Sequence, residues 1–383
     1  MQIINALKMC ALLVTFTLYG CGSGDSDEST TSDNAVTTDS SITPSTETST
    51  NTDIENGNSQ DPTTAVLISD QWQLVWQDEF DAAEIDVNKW QFELNCFGGG
   101  NDEQQCYTDR IDNAYIEQGL LKIVAVKENF IGPAAQDDDP TYNINNTRTL
   151  PYTSARIRTK NIADWTYGRF EIMAKLPQGQ GTWPAIWMLP TDWAYGGWAG
   201  SGEIDIMEAV NLKAKSDEDG AAVDQGESRV HGTLHYGRAW PENVYSGQAF
   251  HLPSGVNPAD DFHEYAIEWQ DGEIRWYVDD IHFATQTANG WYSQYMNNEG
   301  QLVNGQGSAP FDQKFHLLLN LAVGGNWAGN VNAKGIDESI FPQSLEIDYV
   351  RVYECSVSPL TGAGCEAIGD DAQLVEGKQA PAL

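Results

Sequence analysis

Basic residues are scarce in this sequence. Its 383 residues include 20 Lys and Arg against 56 Asp and Glu, which gives a formal net charge of −36. A chain of this charge repels nucleic acids and anionic membrane surfaces. The composition therefore predicts no nucleic-acid partner, and it disfavours a strongly anionic substrate unless a local basic patch receives it.

The sequence also lacks an apolar run long enough to span a membrane. Lys8 precedes a short apolar stretch, 11–18, which has the length of a signal-peptide core. Leu18-Tyr19-Gly20-Cys21 resembles a lipobox, so we expect a lipoprotein signal peptide at 1–20 and a lipid on Cys21. An ordinary signal peptide is the alternative. The prediction is an exported protein, either anchored in the outer membrane by its lipid or extracellular, with no other membrane contact.

Lys, Arg and aromatic residues are all missing from 22–66, where Ser, Thr, Asp and Asn dominate. Such a segment buries too little apolar area to offset its ordering entropy. We therefore predict that 21–66 comprises the lipidated cysteine and a disordered linker. The alternating pattern returns at 67 and is lost again after Cys355, so 67–355 is the predicted folded domain and 356–383 a loose C-terminal tail.

Long helical periodicity and internal repeats are absent, whereas short alternating stretches recur between Gly, Pro, Asn and Asp. Ten such stretches are Leu120–Val126, Ser154–Lys160, Gly168–Leu176, Thr182–Met188, Glu203–Ala209, Val230–Tyr236, Glu264–Gln270, Ile274–Asp279, Phe315–Ala322 and Ser344–Tyr353. This pattern predicts an all-β fold, a single large β-sandwich of antiparallel sheets. A monomer is the default expectation.

Cysteine is sparse, and four cysteines fall within or beside the predicted domain. They form two groups with the same spacing, Cys96 with Cys106 and Cys355 with Cys365. Four cysteines allow three connectivities, and the equal spacing favours the two local pairs in an exported protein. A zinc site is not expected, because no Cys-x-x-Cys or Cys/His cluster occurs.

Three acids interrupt the apolar stretch 202–210, namely Glu203, Asp205 and Glu208. Burying acids in a strand is costly, so this pattern indicates a function. In a regular strand Glu208 would face away from the other two, but a β-bulge at Ile206 or Met207 would return it to their face. Two carboxyls so placed suit a retaining glycosidase. A solvated acidic edge strand and a calcium site are the alternatives.

The sequence resembles glycoside hydrolase family 16, and within it the bacterial endo-β-1,3-glucanases, or laminarinases, with a bulged E-x-D-x-x-E motif. Further blocks that carry the resemblance are Leu74–Phe80, Tyr107–Arg110, Tyr167–Glu171, Gly181–Leu189, Leu319–Trp327 and Asp348–Tyr353. The resemblance implies a jelly-roll sandwich with its cleft on the concave sheet. It also implies that Glu203 is the nucleophile, Glu208 the acid/base and Asp205 an assisting acid.

The implied activity is double-displacement hydrolysis of internal β-1,3 bonds in laminarin-type β-glucan, with no cofactor needed for catalysis. Hydrolysis of a sulfated galactan such as agar or carrageenan is the alternative, since the bulged branch includes such enzymes. Arg156, Arg158 and Arg169 would then form the necessary basic patch, although Arg158 alone fits a solvated outer face. A non-catalytic glucan-binding protein is a further alternative.

Cleft residues follow from strand parity. Trp183 and Trp187 share a face, as do His231 and His235, and Arg156 lies on a neighbouring predicted strand. These side chains are expected to bind sugar, with core packing as the alternative for each indole and imidazole. The loop at Trp198 is expected to wall the cleft.

The resemblance adds Asn101, Glu103 and Trp327 as sugar-binding residues. It also implies a structural calcium held by Glu79 and Asp348, for which ordinary surface acids are the alternative. The acidic run 137–139 is predicted to be a solvated loop.

Overall fold

The computed structural model describes residues 62–217 and 226–383. The predicted signal peptide, Cys21 and nearly all of the predicted linker lie outside these residues. In the described part the chain is organised by strands, as the alternating pattern predicts. The first ten are β1 (Trp72–Asp78), β2 (Gln91–Phe92), β3 (Gln105–Tyr107), β4 (Ala114–Glu117), β5 (Leu120–Pro133), β6 (Thr147–Ser154), β7 (Arg156–Arg158), β8 (Gly168–Lys175), β9 (Thr182–Pro190) and β10 (Glu203–Glu208).

The second half of the chain adds ten more strands. They are β11 (Val230–Gly237), β12 (Asn243–Phe250), β13 (His263–Gln270), β14 (Glu273–Val278), β15 (Ile281–Thr287), β16 (Gln294–Met296), β17 (Leu302–Asn304), β18 (Phe315–Val323), β19 (Gln343–Cys355) and β20 (Gln373–Val375). Within 62–217 and 226–383, helix is limited to α1 (Gly325–Ala328) and to 3-10 turns at Pro253–Gly255, Ala288–Gly290 and Glu338–Ile340. None of these described helices has the length and apolar character needed to cross a membrane.

Two large sheets form the sandwich. The first has seven strands in the order β12-β11-β10-β9-β18-β7-β2. The second has eleven, in the order β20-β15-β14-β13-β8-β19-β5-β6-β3, with β1 paired to β19 and β4 to β5. Neighbouring strands are antiparallel except for the pairs β3–β6 and β15–β20. The predicted antiparallel jelly-roll sandwich is therefore confirmed, with two parallel pairs near its edges.

The core lies between the two sheets and takes one face of each. Ile186 and Ile204 of the seven-stranded sheet share one apolar cluster with Ile172 and Trp276 of the larger sheet. Gly232 on β11 leaves the space that Trp276 fills, since a Cβ there would lie 2.4 Å from the indole. The opposite face of the seven-stranded sheet is consequently free to carry a cleft.

The segment 356–383 differs from the predicted loose tail. Ala367 N–H donates to the carboxylate of Glu268 at 3.0 Å, and β20 pairs with β15. Lys378 N–H donates to the hydroxyl of Tyr236 at 2.8 Å. The prediction was wrong because backbone hydrogen bonds hold this segment, and these leave no periodic apolar pattern in a sequence.

Both predicted disulfides are present. Cys96 is joined to Cys106, and Cys355 to Cys365. The first pair holds the loop after β2 against β3, and the second holds the start of the C-terminal segment against the end of β19. All four sulfur-bearing side chains are buried.

Candidate active site

Strand β10 contains the predicted bulge. Along β11, Asp205 pairs with Thr233 and the next aligned pair is Glu208 with His231, so the register shifts between them. The register against β9 shifts at the same place. Met207 is buried in the core, whereas both glutamates border the cleft. The extra residue therefore brings three carboxyls to one face, as the spacing predicts.

These carboxyls face a cavity of about 620 Å³ on the outer face of the seven-stranded sheet. The predicted substrate-binding residues that line it are Asn101, Glu103, Arg156, Trp183, Trp187 and Trp198. The other predicted residues, His231, His235 and Trp327, are partly exposed and lie next to the lining, in ring contact with Trp183, Trp198 or each other. The structure thus gathers every predicted cleft residue into one region.

A hydrogen bond from the loop that precedes β10 fixes the side chain of Glu203. Trp198 Nε1 donates to Glu203 Oε2 at 2.8 Å. Burial raises the pKa of Glu203 to about 7, although the Trp198 hydrogen bond and the positive charge of Arg156 oppose this rise. Both opposing effects favour the ionised carboxylate.

A hydrogen bond from a residue of β9 fixes the side chain of Glu208. Trp183 Nε1 donates to Glu208 Oε1 at 2.9 Å. Burial raises the pKa of Glu208 to about 7, and the negative charges of Glu203 and Glu103 add to the rise. His235 and the Trp183 hydrogen bond act in the opposite direction.

Asp205 lies between the two glutamates and is 2% exposed. Burial raises its pKa well above the ordinary value, and the charges of Glu208 and Glu203 raise it further. Three acids whose pKa values are all raised retain at least one proton near neutral pH. The cluster can therefore supply an acid and a base at once.

His235 packs beside this cluster. Its Nε2 lies 3.4 Å from Asp205 Oδ2 and 3.6 Å from Glu203 Oε1. Burial lowers the pKa of His235, and the charge of Glu208 opposes this. On the other rim, His231 and Trp183 each contact the ring of Trp327 edge-on, with centroids 5.1 and 5.3 Å away. Trp327 therefore helps to fix the indole that binds Glu208.

Arg156 enters the cleft from β7 and is nearly buried. Its guanidinium donates to Glu93 at 3.4 Å and to the Tyr107 hydroxyl at 3.2 Å, and it lies 5.1 Å from the ring of Trp187. Trp187 Nε1 in turn donates to Asn320 Oδ1 at 2.7 Å. Sequence reasoning missed Glu93, Tyr107 and Asn320.

Arg158 does not lie on a solvated outer face. It is 4% exposed, and it pairs with Glu93 at 3.1 Å and with Asp138 at 2.7 Å. Lys160 reaches the same Asp138 oxygen at 3.1 Å, and Asp137 accepts a 2.7 Å hydrogen bond from the backbone of Leu94. The acidic run predicted to be a solvated loop is thus anchored, and its neighbour Gln136 lines the cleft.

The basic patch required for an anionic substrate does not form. Arg169 lies on β8 in the opposite sheet, buried against Glu171 at 2.6 Å. Among the cleft-lining residues that the structure describes, Arg156 is the single cation, and it is paired with Glu93.

The Gly-rich loop before β3 forms one rim. Glu103 accepts hydrogen bonds from Gln105 at 2.6 Å and from Asn101 at 3.3 Å. Gly99 has a φ of +60°, and a Cβ there would lie 2.0 Å from the Glu103 carboxylate. A glycine is therefore required for this carboxylate to reach the rim.

Aromatic residues that sequence reasoning missed complete the walls. Phe97, Trp193 and Trp240 line the cavity, and Trp240 is 73% exposed. Their only signal in the sequence is an aromatic residue within a turn-rich segment, which does not distinguish a cleft wall from any exposed ring.

The side chain of Glu79 is poorly suited to bind the calcium ion that was predicted at Glu79 and Asp348. Both Glu79 carboxylate oxygens accept hydrogen bonds from Arg351, each at 2.8 Å. Asp348 is exposed on the same strand as that arginine. A carboxylate already neutralised by a guanidinium does not suit a calcium ligand, and the calcium stays a prediction.

Known proteins resemble this chain in sequence and in fold. The model of "Glycosyl hydrolases family 16" matches residues 129–314. A beta-glucanase of Rhodothermus marinus is 41% identical over 291 residues, which cover 74% of this chain and 85% of that protein. A glucan endo-1,3-beta-glucosidase A1 of Niallia circulans is 38% identical over 79% of this chain, which spans only 40% of that longer relative.

Solved structures agree with this assignment. The laminarinase from Rhodothermus marinus superimposes with a TM-score of 0.54 at 39% identity, covering 74% of this chain and 97% of that one. The bulged acidic strand, the tryptophan-lined cleft and these similarities lead to one conclusion. The chain belongs to glycoside hydrolase family 16.

Proposed function

We propose that this protein is a retaining endo-β-1,3-glucanase that acts on laminarin-type β-glucan. The observation that carries the proposal is the bulged strand β10, which turns Glu203, Asp205 and Glu208 toward a cleft walled by tryptophans. Relatives named as glucan endo-1,3-beta-glucosidase and laminarinase support the same activity.

The family resemblance assigns the roles of the two glutamates, with Glu203 as the nucleophile and Glu208 as the acid/base. Burial raises the pKa of both side chains to about 7, which lets one be ionised while the other is protonated near neutral pH. The charge of Arg156 opposes the rise at Glu203 and so favours the carboxylate that a nucleophile needs. The charge of Glu103 adds to the rise at Glu208 and so favours the proton that a general acid needs.

The reaction proceeds in two displacements. Glu208 gives its proton to the glycosidic oxygen while Glu203 attacks the anomeric carbon, which breaks the glycosidic bond and forms a glycosyl-enzyme ester. Glu208, now ionised, takes a proton from a water molecule. That water attacks the same carbon, releases Glu203, and leaves the anomeric configuration unchanged.

Asp205 and His235 act around this pair. Asp205 is buried between the glutamates, and burial together with the charges of Glu208 and Glu203 raises its pKa, which favours a protonated side chain that can donate a hydrogen bond within the cluster. His235 lies against Glu203 and Asp205 from β11 and limits where the nucleophile can move.

A neutral glucan suits the cleft better than a sulfated galactan. Five of the lining residues are tryptophans, whose flat indole faces suit the C–H faces of glucose, and Arg156 is already paired with Glu93. A sulfate would require an unpaired cation in its place.

Substrate panels test the proposal. Reducing ends released by the purified protein should be compared on laminarin, mixed-linkage β-glucan, agarose and κ-carrageenan. Rapid release of short oligomers from laminarin is expected, and activity on a galactan alone would overturn the substrate assignment. Glu203→Gln and Glu208→Gln should each lower turnover by roughly a hundred- to ten-thousand-fold, whereas Glu117→Gln, at an exposed pair with Lys122, should not.

Export with a lipid on Cys21 belongs to the same proposal. It rests on the short apolar stretch 11–18 and the lipobox-like residues that follow it. Incorporation of labelled palmitate into the wild type, and its loss in Cys21→Ser, would support the anchor. Equal labelling of both proteins would contradict it.

A further inference from the structure

The cluster formed by Glu203, Asp205 and His235 has the geometry of a metal site. One ligand atom from each of these residues lies within 4.8 Å of the other two. His235 Nε2 is 3.4 Å from Asp205 Oδ2 and 3.6 Å from Glu203 Oε1. Ligands about 2.0–2.1 Å from a tetrahedral zinc ion lie about 3.4 Å apart, so these separations match two edges of such a site.

An unsatisfied atom points into the same space. Asp205 is 2% exposed, and its Oδ2 makes no hydrogen bond within the part of the chain that the structure describes. A buried carboxylate oxygen without a partner is costly and is satisfied well by a cation. The interaction with His235 alone, at 3.4 Å, leaves this oxygen open to a metal.

The surroundings orient the ligands as metal sites require. Trp198 holds Glu203 Oε2 at 2.8 Å, which leaves Oε1 directed toward His235. The remaining side of the cluster opens into the cleft, because Glu203 and Asp205 both line the cavity. A fourth position is therefore accessible to water.

We propose that Glu203, Asp205 and His235 bind a borderline divalent cation, with Zn²⁺ as the preferred ion, and that this ion and the β-glucan exclude each other. One imidazole nitrogen and two carboxylate oxygens suit zinc, whereas Ca²⁺ and Mg²⁺ take more ligands, all of them oxygens. The bound ion occupies the oxygen with which Glu203 would attack a sugar, so it acts as a reversible inhibitor.

Titration calorimetry with ZnCl₂ tests the site without relying on activity. The wild type should bind one Zn²⁺, and His235→Ala and Asp205→Asn should each weaken binding roughly tenfold or more, the loss typical of a disrupted metal site. His231→Ala is the matched control, since His231 lies four residues away on the same strand and packs against Trp327. Its affinity for Zn²⁺ should equal that of the wild type.

Thermal unfolding of each variant without metal shows whether that variant is folded. If Asp205→Asn is unfolded, the Zn²⁺ affinity of His235→Ala alone decides the test. MgCl₂ titrated in place of ZnCl₂ should give no binding at the same concentrations. Unchanged Zn²⁺ affinity in folded His235→Ala, or an equal loss in His231→Ala, would overturn the proposal. The hydrolytic function could stand or fall independently, because none of these readouts uses a substrate.

Discussion

Trp198 Nε1 donates a 2.8 Å hydrogen bond to Glu203 Oε2. This bond opposes the rise in the pKa of Glu203 that burial causes. It therefore stabilises the ionised form, which is the form that attacks the sugar in the first displacement.

Trp198→Phe removes the donor and keeps an aromatic ring. The pKa of Glu203 should rise, so the acid limb of the pH profile of kcat/KM should move to higher pH. Loss of one hydrogen bond to a charged group, about 1.5–3 kcal/mol, corresponds to a shift of about one to two pH units. An acid limb at the wild-type position would show that Trp198 does not tune Glu203.

The loop 134–146 contributes Gln136 to the lining of the cleft, and contacts of Asp138 anchor this loop. Asp138→Asn breaks the contacts with Arg158 and Lys160 and should release the segment that carries Gln136. A partly exposed pair contributes about 1 kcal/mol, so KM for laminarin should rise about fivefold with little change in kcat.

Asp139→Asn is the control for that loop. Among the described contacts, the Asp139 carboxylate accepts hydrogen bonds only from Thr141, two residues away, so its replacement by an amide should leave KM unchanged. Steady-state kinetics on laminarin measure both variants. Equal KM values for Asp138→Asn and the wild type would mean that the anchor is irrelevant to binding.

Glu227 predicts an acid-dependent loss of stability. Burial raises its pKa, but hydrogen bonds from Arg229 and Asn332 outweigh this and hold the pKa at about 2. A folded-state pKa below the ordinary value of 4.5 gives stability that is complete above that value and is lost as the pH falls toward 2.

Glu227→Gln should therefore lower Tm most at pH 6 and progressively less below pH ~4.5. Breaking a buried ion pair typically costs about 3–5 kcal/mol. Thermal unfolding of both proteins between pH 3 and pH 7 measures the difference. A Tm difference that stays constant over this range would contradict the role of the Glu227 charge.

The C-terminal segment should be part of the cooperative fold. Removal of 370–383 deletes β20 and the bonds from Lys378 to Tyr236 and to Gly290. Tm should fall by several degrees, whereas removal of only the exposed Ala382 and Leu383 should have no effect. Equal Tm values for the two truncated proteins would indicate that 370–383 is a loose tail, as the sequence predicted.

Much of the catalytic strand could be predicted because the constraint is local. Acids at 203, 205 and 208 within an apolar stretch require a bulge if they are to share a face, and the observed register has one. All ten predicted strands are present within a few residues, although β5 runs to Pro133 rather than ending near Val126.

The site residues that sequence reasoning missed contact partners that are far away in the sequence. Glu93 meets Arg156 over 63 positions, and Asn320 meets Trp187 over 133. No spacing in the sequence relates such partners before the sheet brings them together. Short or polar strands such as β12 and β20 also escaped prediction, because edge strands lack the alternation of a half-buried one.

Proton NMR of laminarin during its first minutes of hydrolysis tests the central claim most directly. Double displacement through Glu203 and Glu208 predicts new reducing ends that appear first as the β-anomer and then mutarotate. Initial release of the α-anomer would contradict the nucleophilic role of Glu203. Failure of the folded protein to cleave laminarin at all would contradict the proposed substrate.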